Sequence, residues 1–278
     1  MLKTRIITAI LLFAVFFSAL FFLPPLGWVI FATVVAAIAV WEWGGLVALC
    51  GASRVMLGVT FVFICVAIAA LDPAALGLEA GFAGAAWRLG RWFYLPAATF
   101  WLLGAPSWMR CRWTLPKSVL GLVIGLLLIL PAWLALVQLR QTGVLALIAI
   151  MATVWIADMA AYFFGRTLGR HKLAPSISPG KTWEGAIGGC AAVIVYGFVL
   201  SSRLPTVLSD NYGLLFLILL LVTAISVVGD LFESLLKRQA GLKDSSSIFP
   251  GHGGMLDRID SLISTLPLVA LVWLATLH

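Results

Sequence analysis

The sequence predicts an all-α protein that crosses a membrane about nine times, and three observations support this prediction. First, 63% of the 278 residues are hydrophobic and only 10% are charged, whereas about a quarter of the residues in a soluble domain are charged. Second, the mean hydropathy is high, at +1.11. Third, apolar runs long enough to cross a bilayer recur along the whole chain. We therefore predict one integral membrane domain over residues 1–278 and no separate soluble domain.

Nine apolar segments are predicted to form the membrane-spanning helices. They are residues 5–23, 26–49, 55–71, 92–106, 117–138, 143–164, 184–201, 211–233 and 260–277. Lys3 and Arg5 precede the first segment as in a signal peptide, but no small-residue cleavage site follows it, so we expect an uncleaved first span. Pro24 and Pro25 predict a tight hairpin between the first two spans. The Gly- and Ala-rich stretch 72–91 is predicted to be a loop.

Basic residues are distributed unevenly between the two sides that nine spans would create. Fourteen Lys and Arg residues fall at the N-terminus or in the loops after even-numbered spans. Four fall on the other side: Arg88, Arg91, Arg140 and Arg203. Because cytoplasmic loops gather Lys and Arg, this asymmetry predicts a cytoplasmic N-terminus in a multi-pass protein of the cell (inner) membrane. The formal net charge of +7 reflects the same excess of Lys and Arg. No nucleic-acid-binding module is visible in the sequence, so nucleic acid is not predicted as a partner.

Two long polar loops, residues 165–183 and 234–259, fall on the predicted cytoplasmic side. Both are rich in Gly, Pro and Ser, and long polar loops in a compact protein are often functional. We therefore predict that residues 1–140 are mainly scaffold spans and that residues 141–278 form the catalytic half.

Carboxylates are scarce and concentrated around these loops. Seven of the eleven acidic residues lie there: Asp158, Glu184, Asp230, Glu233, Asp244, Asp257 and Asp260. The two acids that end the eighth span are three residues apart and share a helix face, as do the two that begin the ninth. Each alone could reach water at a helix end or complement a helix N-terminus. Two facing pairs are instead typical of a site for a hard cation such as Mg²⁺, which takes oxygen ligands and bridges to substrate phosphates.

Basic side chains complete a candidate phosphate-binding site. Five of them lie in or beside the two loops: Lys181, Lys237, Arg238, Lys243 and Arg258. Arg suits bidentate phosphate contact and Lys acts as a point charge, although topology alone would also place basic residues here. The run from Pro250 to Gly254 would either bring backbone amides close to a phosphate or form a plain turn. His252 would contact phosphate or base, or have no role. Glu42, inside the second span, is either functional or a hydrogen-bonded structural residue.

A long motif with many fixed positions runs from Ser234 to Asp260. It contains Lys237-Arg238, Lys243-Asp244 and the run PGHGGMLDRID at 250–260. Further positions belong with it: Asp158, Ala161-Tyr162, Gly165-Arg166, Ser178-Pro179, Lys181-Thr182, Glu184-Gly185 and Gly229-Asp230. Together they resemble the signature of the phosphatidate cytidylyltransferase family, also called CDP-diacylglycerol synthases. The resemblance covers roughly the C-terminal half of the chain.

The resemblance implies transfer of a cytidylyl group from CTP to phosphatidic acid, giving CDP-diacylglycerol and pyrophosphate. It also implies a homodimer and a two-metal centre on Asp230 and Asp257, with Mg²⁺ and, as a candidate second metal, K⁺. Together with the two acidic pairs, the resemblance predicts the metal ligands Asp230, Glu233, Asp257 and Asp260. The predicted catalytic residues are Asp230, Asp257, Asp260 and Lys243. The predicted substrate-binding residues are Ser178, Lys181, Thr182, Glu184, Lys237, Arg238, His252 and Arg258.

Two other functions compete with this hypothesis. A CTP-dependent kinase of a polyprenol-like lipid would transfer the γ-phosphate and release CDP. A transporter would use the acidic helix residues to relay ions, but transporters commonly show internal repeats. Here the ionisable residues crowd into one half of the chain, with no second copy.

Overall fold

Helices make up almost all of the regular structure. The computed structural model describes residues 2–277, and the side chains of residues 5–276. Within that range the α-helices are α1 (Leu2–Phe22), α2 (Pro25–Leu46), α3 (Gly51–Leu71), α4 (Phe82–Thr99), α5 (Ala105–Cys111), α6 (Val119–Gln141), α7 (Val144–Thr167), α8 (Trp183–Val199), α9 (Thr206–Ser209), α10 (Tyr212–Gln239) and α11 (Leu256–Leu277). The predicted all-α class is confirmed. One small departure is an antiparallel hairpin of β1 (Lys172–Ala174) and β2 (Ser178–Thr182) between α7 and α8.

Seven of the described helices are long and apolar enough to cross a membrane: α1, α2, α3, α6, α7, α10 and α11. Each corresponds to a predicted span, so the protein is a polytopic membrane protein. The predicted count of about nine is not confirmed. The seventh predicted span is α8, whose 17 residues extend about 25 Å against a hydrocarbon core of about 30 Å. The fourth, 92–106, lies in an interrupted helix.

That interrupted helix begins earlier than predicted. α4 starts at Phe82, passes through a π-helical turn at Phe100–Gly104 and continues as α5. The predicted loop over 72–91 is therefore wrong from residue 82 onward. Its Gly and Ala content suggested a loop, but small side chains also let helices approach closely. Here Ala86 and Gly90 are buried, and the nearby Tyr94 hydroxyl donates a hydrogen bond of 2.6 Å to Gln138 of α6.

The predicted hairpin between the first two spans is confirmed. α2 begins with Pro25 at its first position, where the missing N–H and fixed φ of proline suit a helix start. Arg140 closes the other side of this turn. Its guanidinium donates to the carbonyls of Leu20 and Leu23 at the end of α1 and lies over the ring of Trp28. The last carbonyls of α1, which have no partner within their own helix, are thereby satisfied.

Helices α2, α4, α6, α10 and α11 pack around a common core, and α7 pairs with α8. In contrast, only 11% of the α1 span and 17% of the α3 span is buried, against 61% of α6. Since their exposed side chains are mainly apolar, α1 and α3 present their outer faces to lipid. The polar side chains of the candidate site lie where α2, α7, α10 and α11 meet the two long connections.

Both long connections are shorter than predicted. α10 continues to Gln239 and α11 begins at Leu256, so the loop predicted over 234–259 spans 240–255. The hydrophobic run ends near residue 233, but the helix continues through polar residues because Lys237 pairs with Glu233 one turn earlier. The loop predicted over 165–183 contains the β1–β2 hairpin and only a few residues on either side of it.

Candidate active site

Close packing of α10 on α11 brings the two predicted acidic pairs together. At Gly229 a Cβ atom would meet the side chain of Ser264 and, at 3.1 Å, the carbonyl oxygen of Asp260. The Ser264 hydroxyl donates a 3.1 Å hydrogen bond to the carbonyl of Ile225 across the same contact. Small residues at this crossing therefore set the spacing of the helices. Asp230 follows Gly229 on α10, and its carboxylate interacts electrostatically with Asp260 near the start of α11.

Lys237 joins one acid from each helix. Its Nζ lies 2.6 Å from Glu233 Oε2 and 2.6 Å from Asp257 Oδ1. The three side chains are nearly buried, with exposed fractions of 13% for Lys237, 6% for Glu233 and 4% for Asp257. Removing charges from water costs several kcal/mol unless they are paired, so this triad is a fixed part of the site. Glu233 Oε1 is buried and has no hydrogen-bond partner among the described residues.

The second oxygen of Asp257 holds the loop 240–255. Asp257 Oδ2 accepts hydrogen bonds from the Ser245 amide at 2.9 Å, the Ser245 hydroxyl at 2.9 Å and the Gly254 amide at 2.8 Å. Both carboxylate oxygens are thus occupied by groups of the protein itself. The amide of Gly254, which the sequence offered as a candidate phosphate contact, is one of these donors.

A second acidic cluster is more accessible. Asp230 of α10 interacts electrostatically with Asp158 of α7, and Asp260 of α11 interacts with both. Lys181 of β2 forms an ion pair with Asp230, with Nζ to Oδ2 at 2.5 Å. Asp158 is exposed and Asp230 retains 31% of its side-chain surface. Three carboxylates from three helices thus interact with one another, and the exposed surface of Asp158 and Asp230 makes this cluster accessible to a substrate.

Asp158 is one of the positions that carry the family resemblance, but it is not one of the predicted site residues. The signal that could have selected it is its position: an ionisable residue inside an apolar helix is a functional candidate by default. Its contact with Asp230 depends on how α7 packs beside α10, which the sequence alone does not specify.

The remaining predicted residues of the first loop shape the hairpin. The Thr182 hydroxyl accepts a hydrogen bond from the Gly185 amide at 3.2 Å and caps the N-terminus of α8. Glu184 lies 2.6 Å from His171 Nδ1 and also accepts from the His171 amide. Ser178 pairs with Ala174 at the far end of the hairpin. The structure brings Lys181 to the carboxylates, while Thr182 and Glu184 hold the base of the hairpin that carries it.

Three predicted basic residues are exposed and have no ion-pair partner within residues 5–276: Arg238, Lys243 and Arg258. They lie at the end of α10, in the loop and at the start of α11. His252 is partly buried, and its Nδ1 has no hydrogen-bond partner among the described groups. The three exposed basic side chains are available to an anionic ligand, whereas Lys237 is already paired.

The donor set fits a hard cation by type. In the described part of the chain, no group of three or more His, Cys, Asp or Glu side chains stands ready-made as a metal site. Asp158, Asp230 and Asp260 nevertheless supply only oxygen, the donor that Mg²⁺ prefers, and one lysine leaves them with excess negative charge. Asp257 and Glu233, also predicted as ligands, are engaged by Lys237 in this structure.

Comparison with known proteins extends over the whole chain. Residues 3–275 match the sequence model of the Cytidylyltransferase family. A phosphatidate cytidylyltransferase from Pseudomonas aeruginosa is 39% identical over 286 residues, which cover 99% of this chain and 98% of that protein. One from Haemophilus influenzae is 35% identical, with 96% of each chain covered. One from Brucella suis is 47% identical over 129 residues, 46% of this chain and 47% of that protein.

Proposed function

Because this chain belongs to the cytidylyltransferase family, we propose that its cluster of Asp158, Asp230 and Asp260 is the site where a cytidylyl group passes from CTP to phosphatidic acid. The products are CDP-diacylglycerol and pyrophosphate, and the protein is a nucleotidyltransferase of phospholipid biosynthesis. One observation carries the placement of the site. Three carboxylates from three helices interact electrostatically, and Asp230, which pairs with Lys181, and Asp158 are accessible.

The reaction is a displacement at phosphorus. A phosphate oxygen of phosphatidic acid attacks the α-phosphorus of CTP, and the bond from that phosphorus to the oxygen leading to the β-phosphorus breaks. Pyrophosphate leaves with the electron pair. The attacking phosphate monoester is already ionised near neutral pH, so no strong general base is needed. Catalysis then depends on positioning and on neutralising the charge of the two anionic substrates.

The chain supplies that neutralisation from two directions. Arg238, Lys243 and Arg258 are exposed and unpaired among the described residues, so they can contact phosphate oxygens without first breaking an ion pair. Among residues 5–276, Lys181 forms an ion pair with Asp230 alone, and it can turn from that carboxylate to a phosphate. Lys237 is held by Glu233 and Asp257, so it acts by fixing the framework of the site.

We propose Mg²⁺ as the metal, with K⁺ as a candidate second metal. Asp158, Asp230 and Asp260 would hold it through oxygen atoms. There it would neutralise the triphosphate and align the attacking and leaving oxygens. Asp257 and Glu233 as ligands stay predictions, since binding through them requires that they release Lys237.

The proposed setting is the inner membrane, with the site open to the cytoplasm where CTP is found. Support comes from the positive-inside asymmetry of the sequence and from the apolar helices. Phosphatidic acid would reach the site sideways from the bilayer. The homodimer stays a prediction, and the mass of the protein in detergent, measured by light scattering, would test it.

To test the function, purified protein is given labelled CTP, phosphatidic acid and Mg²⁺, and the product that carries the label is identified. Label at the α-phosphate should appear in the lipid product, and label at the γ-phosphate should appear in pyrophosphate. Transfer of γ-label to a lipid, with release of CDP, would contradict cytidylyl transfer and favour the lipid kinase. Omitting phosphatidic acid is the control for hydrolysis of CTP.

A further inference from the structure

Glu42 lies far from the C-terminal motif in sequence but contacts it in the structure. It belongs to α2, in the half of the chain predicted to be scaffold, and its residue surface is fully buried. Its Oε1 accepts hydrogen bonds from the Ser246 hydroxyl at 2.6 Å and the Met255 amide at 2.9 Å. Its Oε2 accepts from the Leu256 amide at 2.6 Å and lies 3.0 Å from the Ser245 hydroxyl.

These partners account for the burial of a charge. An unpaired carboxylate inside an apolar core is strongly destabilising, but here three donors bond to the two oxygens: the Ser246 hydroxyl and the amides of Met255 and Leu256. The amides of Met255 and Leu256 are at the start of α11, where N–H groups lack partners within the helix. The partial positive charge of that helix end also favours a carboxylate.

The contact leaves no free space. At Gly254 a Cβ atom would collide with the Glu42 carboxylate and with the Ser245 hydroxyl. Glycine is therefore required for the loop to come this close to α2. This observation is independent of the hydrogen bonds and indicates that the approach is specific.

Ser245 connects Glu42 to the triad. Its hydroxyl lies 3.0 Å from Glu42 Oε2 and 2.9 Å from Asp257 Oδ2. The other oxygen of Asp257, Oδ1, forms an ion pair with Lys237. The chain of contacts thus runs from α2 through the loop to α10. Lys243 and His252 lie in the same loop, whose residues 241–244 and 250–251 are exposed, so Glu42 and Asp257 supply buried anchors for it beside the local turn hydrogen bonds.

We propose that Glu42 is a positioning residue for cytidylyl transfer: it fixes the loop 240–255 and the start of α11, and through them Asp257, Lys243 and His252. The inference rests on the proposed function, and it gives the N-terminal half of the chain an indirect part in the reaction, through the position of the loop. Glu42 itself touches neither substrate.

Glu42→Gln is the sharpest test. Each carboxylate oxygen accepts from one backbone amide, so whichever way the glutamine is turned, its NH₂ group faces an N–H donor. We expect kcat to fall roughly 100-fold, as for a small misplacement of catalytic groups, while KM for phosphatidic acid changes by less than about twofold. Glu42→Asp keeps the charge but has a shorter reach, so its kcat should lie between those of the wild type and Glu42→Gln.

Thr33→Val is the matched control. Thr33 is also a buried polar residue of α2, and its hydroxyl donates to Val29 and accepts from Trp133, away from the loop. Its kcat per folded protein should equal that of the wild type even if its melting temperature falls. If Glu42→Gln retains wild-type kcat per folded protein, or loses only as much as Thr33→Val, the proposal is wrong.

Hydrogen exchange gives a readout that does not depend on turnover. In Glu42→Gln, the amides of residues 245–256 should exchange faster, while those of α6 stay unchanged. Unchanged exchange in 245–256 would overturn the proposal. A wild-type protein that transfers no cytidylyl group would instead contradict the proposed function, and the exchange result would still decide whether Glu42 fixes the loop.

Discussion

Three carboxylates and one lysine leave a net negative charge at the accessible part of the site. Asp158, Asp230 and Asp260 repel one another, and Lys181 neutralises only one of them. Such an arrangement costs stability unless a cation or a cationic ligand completes it. The residues that keep this unfavourable charge are therefore expected to serve binding rather than folding.

Replacing either accessible acid tests this expectation. Asp158→Asn and Asp230→Asn should each lower kcat by at least about 100-fold, the loss typical of removing one preorganised electrostatic contact. The melting temperature of Asp158→Asn should not fall, because the substitution removes repulsion. That of Asp230→Asn should change little, because the substitution removes both repulsion and the ion pair with Lys181. The measurement is cytidylyl transfer per folded protein at saturating CTP and Mg²⁺.

Asp210→Asn is the control for these variants. Asp210 is exposed in the connection before α10, and the described side chain it contacts is that of its neighbour Ser209. Its activity should equal that of the wild type. Near-normal transfer by Asp158→Asn would remove Asp158 from the proposed site.

Lys181 is the basic residue that reaches the carboxylates. Lys181→Met should raise KM for CTP and lower kcat/KM by about tenfold or more, because a charge-assisted phosphate contact worth about 1.5–3 kcal/mol is lost. Lys172→Met, at the exposed other strand of the hairpin, should leave both constants unchanged. Equal effects of the two substitutions would indicate that the hairpin contributes only general positive charge.

At the level of the elements, the loop 240–255 depends on a glycine that no larger residue can replace. Gly254→Ala would place a methyl group against Glu42 and Ser245, and overpacking of this kind costs about 1–3 kcal/mol. We expect a lower melting temperature in detergent and a loss of transfer activity. The measurement is thermal unfolding followed by intrinsic fluorescence, paired with the transfer assay.

Gly180→Ala is the comparison for that substitution. Gly180 lies in β2, next to Lys181, with nothing within 4 Å of the position of an added Cβ atom. Melting temperature and activity should stay at the wild-type level. An equal loss in both variants would show that the effect is not specific to the Glu42 contact.

The sequence predicted the elements unevenly, for physical reasons. The apolar runs identified seven spans because a helix in lipid must be apolar along its whole length. The spacing of Asp230 and Glu233 placed both acids on one helix face. The start of α4 was missed because Gly and Ala are compatible with a loop and with close helix packing. The β1–β2 hairpin was missed because its Pro- and Gly-rich sequence lacks strand periodicity.

The sequence predicted most of the residues that form the site, but not which of them contact one another. The sequence named both acidic pairs and the basic residues beside them. It did not predict that Lys237 would pair with Asp257 or that Asp158 would join Asp230, because such contacts depend on tertiary packing. For Glu42 the sequence favoured neither a functional nor a structural role. Three hydrogen-bond donors from the other half of the chain, and the nearby Ser245 hydroxyl, now define its contacts.

At the scale of the whole molecule, the number of spans determines which side each loop faces. Nine spans place Cys50 and Cys111 in the cytoplasm and Ser209 outside. Both cysteines are exposed on the protein surface, so they report on sidedness without further substitution. If α8 enters and leaves the membrane on one side, as its 17 residues would permit, Ser209 moves to the same side as the β1–β2 hairpin.

Labelling with a membrane-impermeant maleimide distinguishes the two arrangements. In intact cells Cys50 and Cys111 should be protected, and both should react after the membrane is opened. Ser209→Cys, introduced into a chain whose native cysteines are replaced by alanine, should react in intact cells if α8 spans the bilayer. Protection of Ser209→Cys would contradict nine spans, because α8 would then return to the side from which it entered. Reaction of Cys50 in intact cells would contradict the cytoplasmic orientation, and with it the route by which CTP is proposed to reach Asp230.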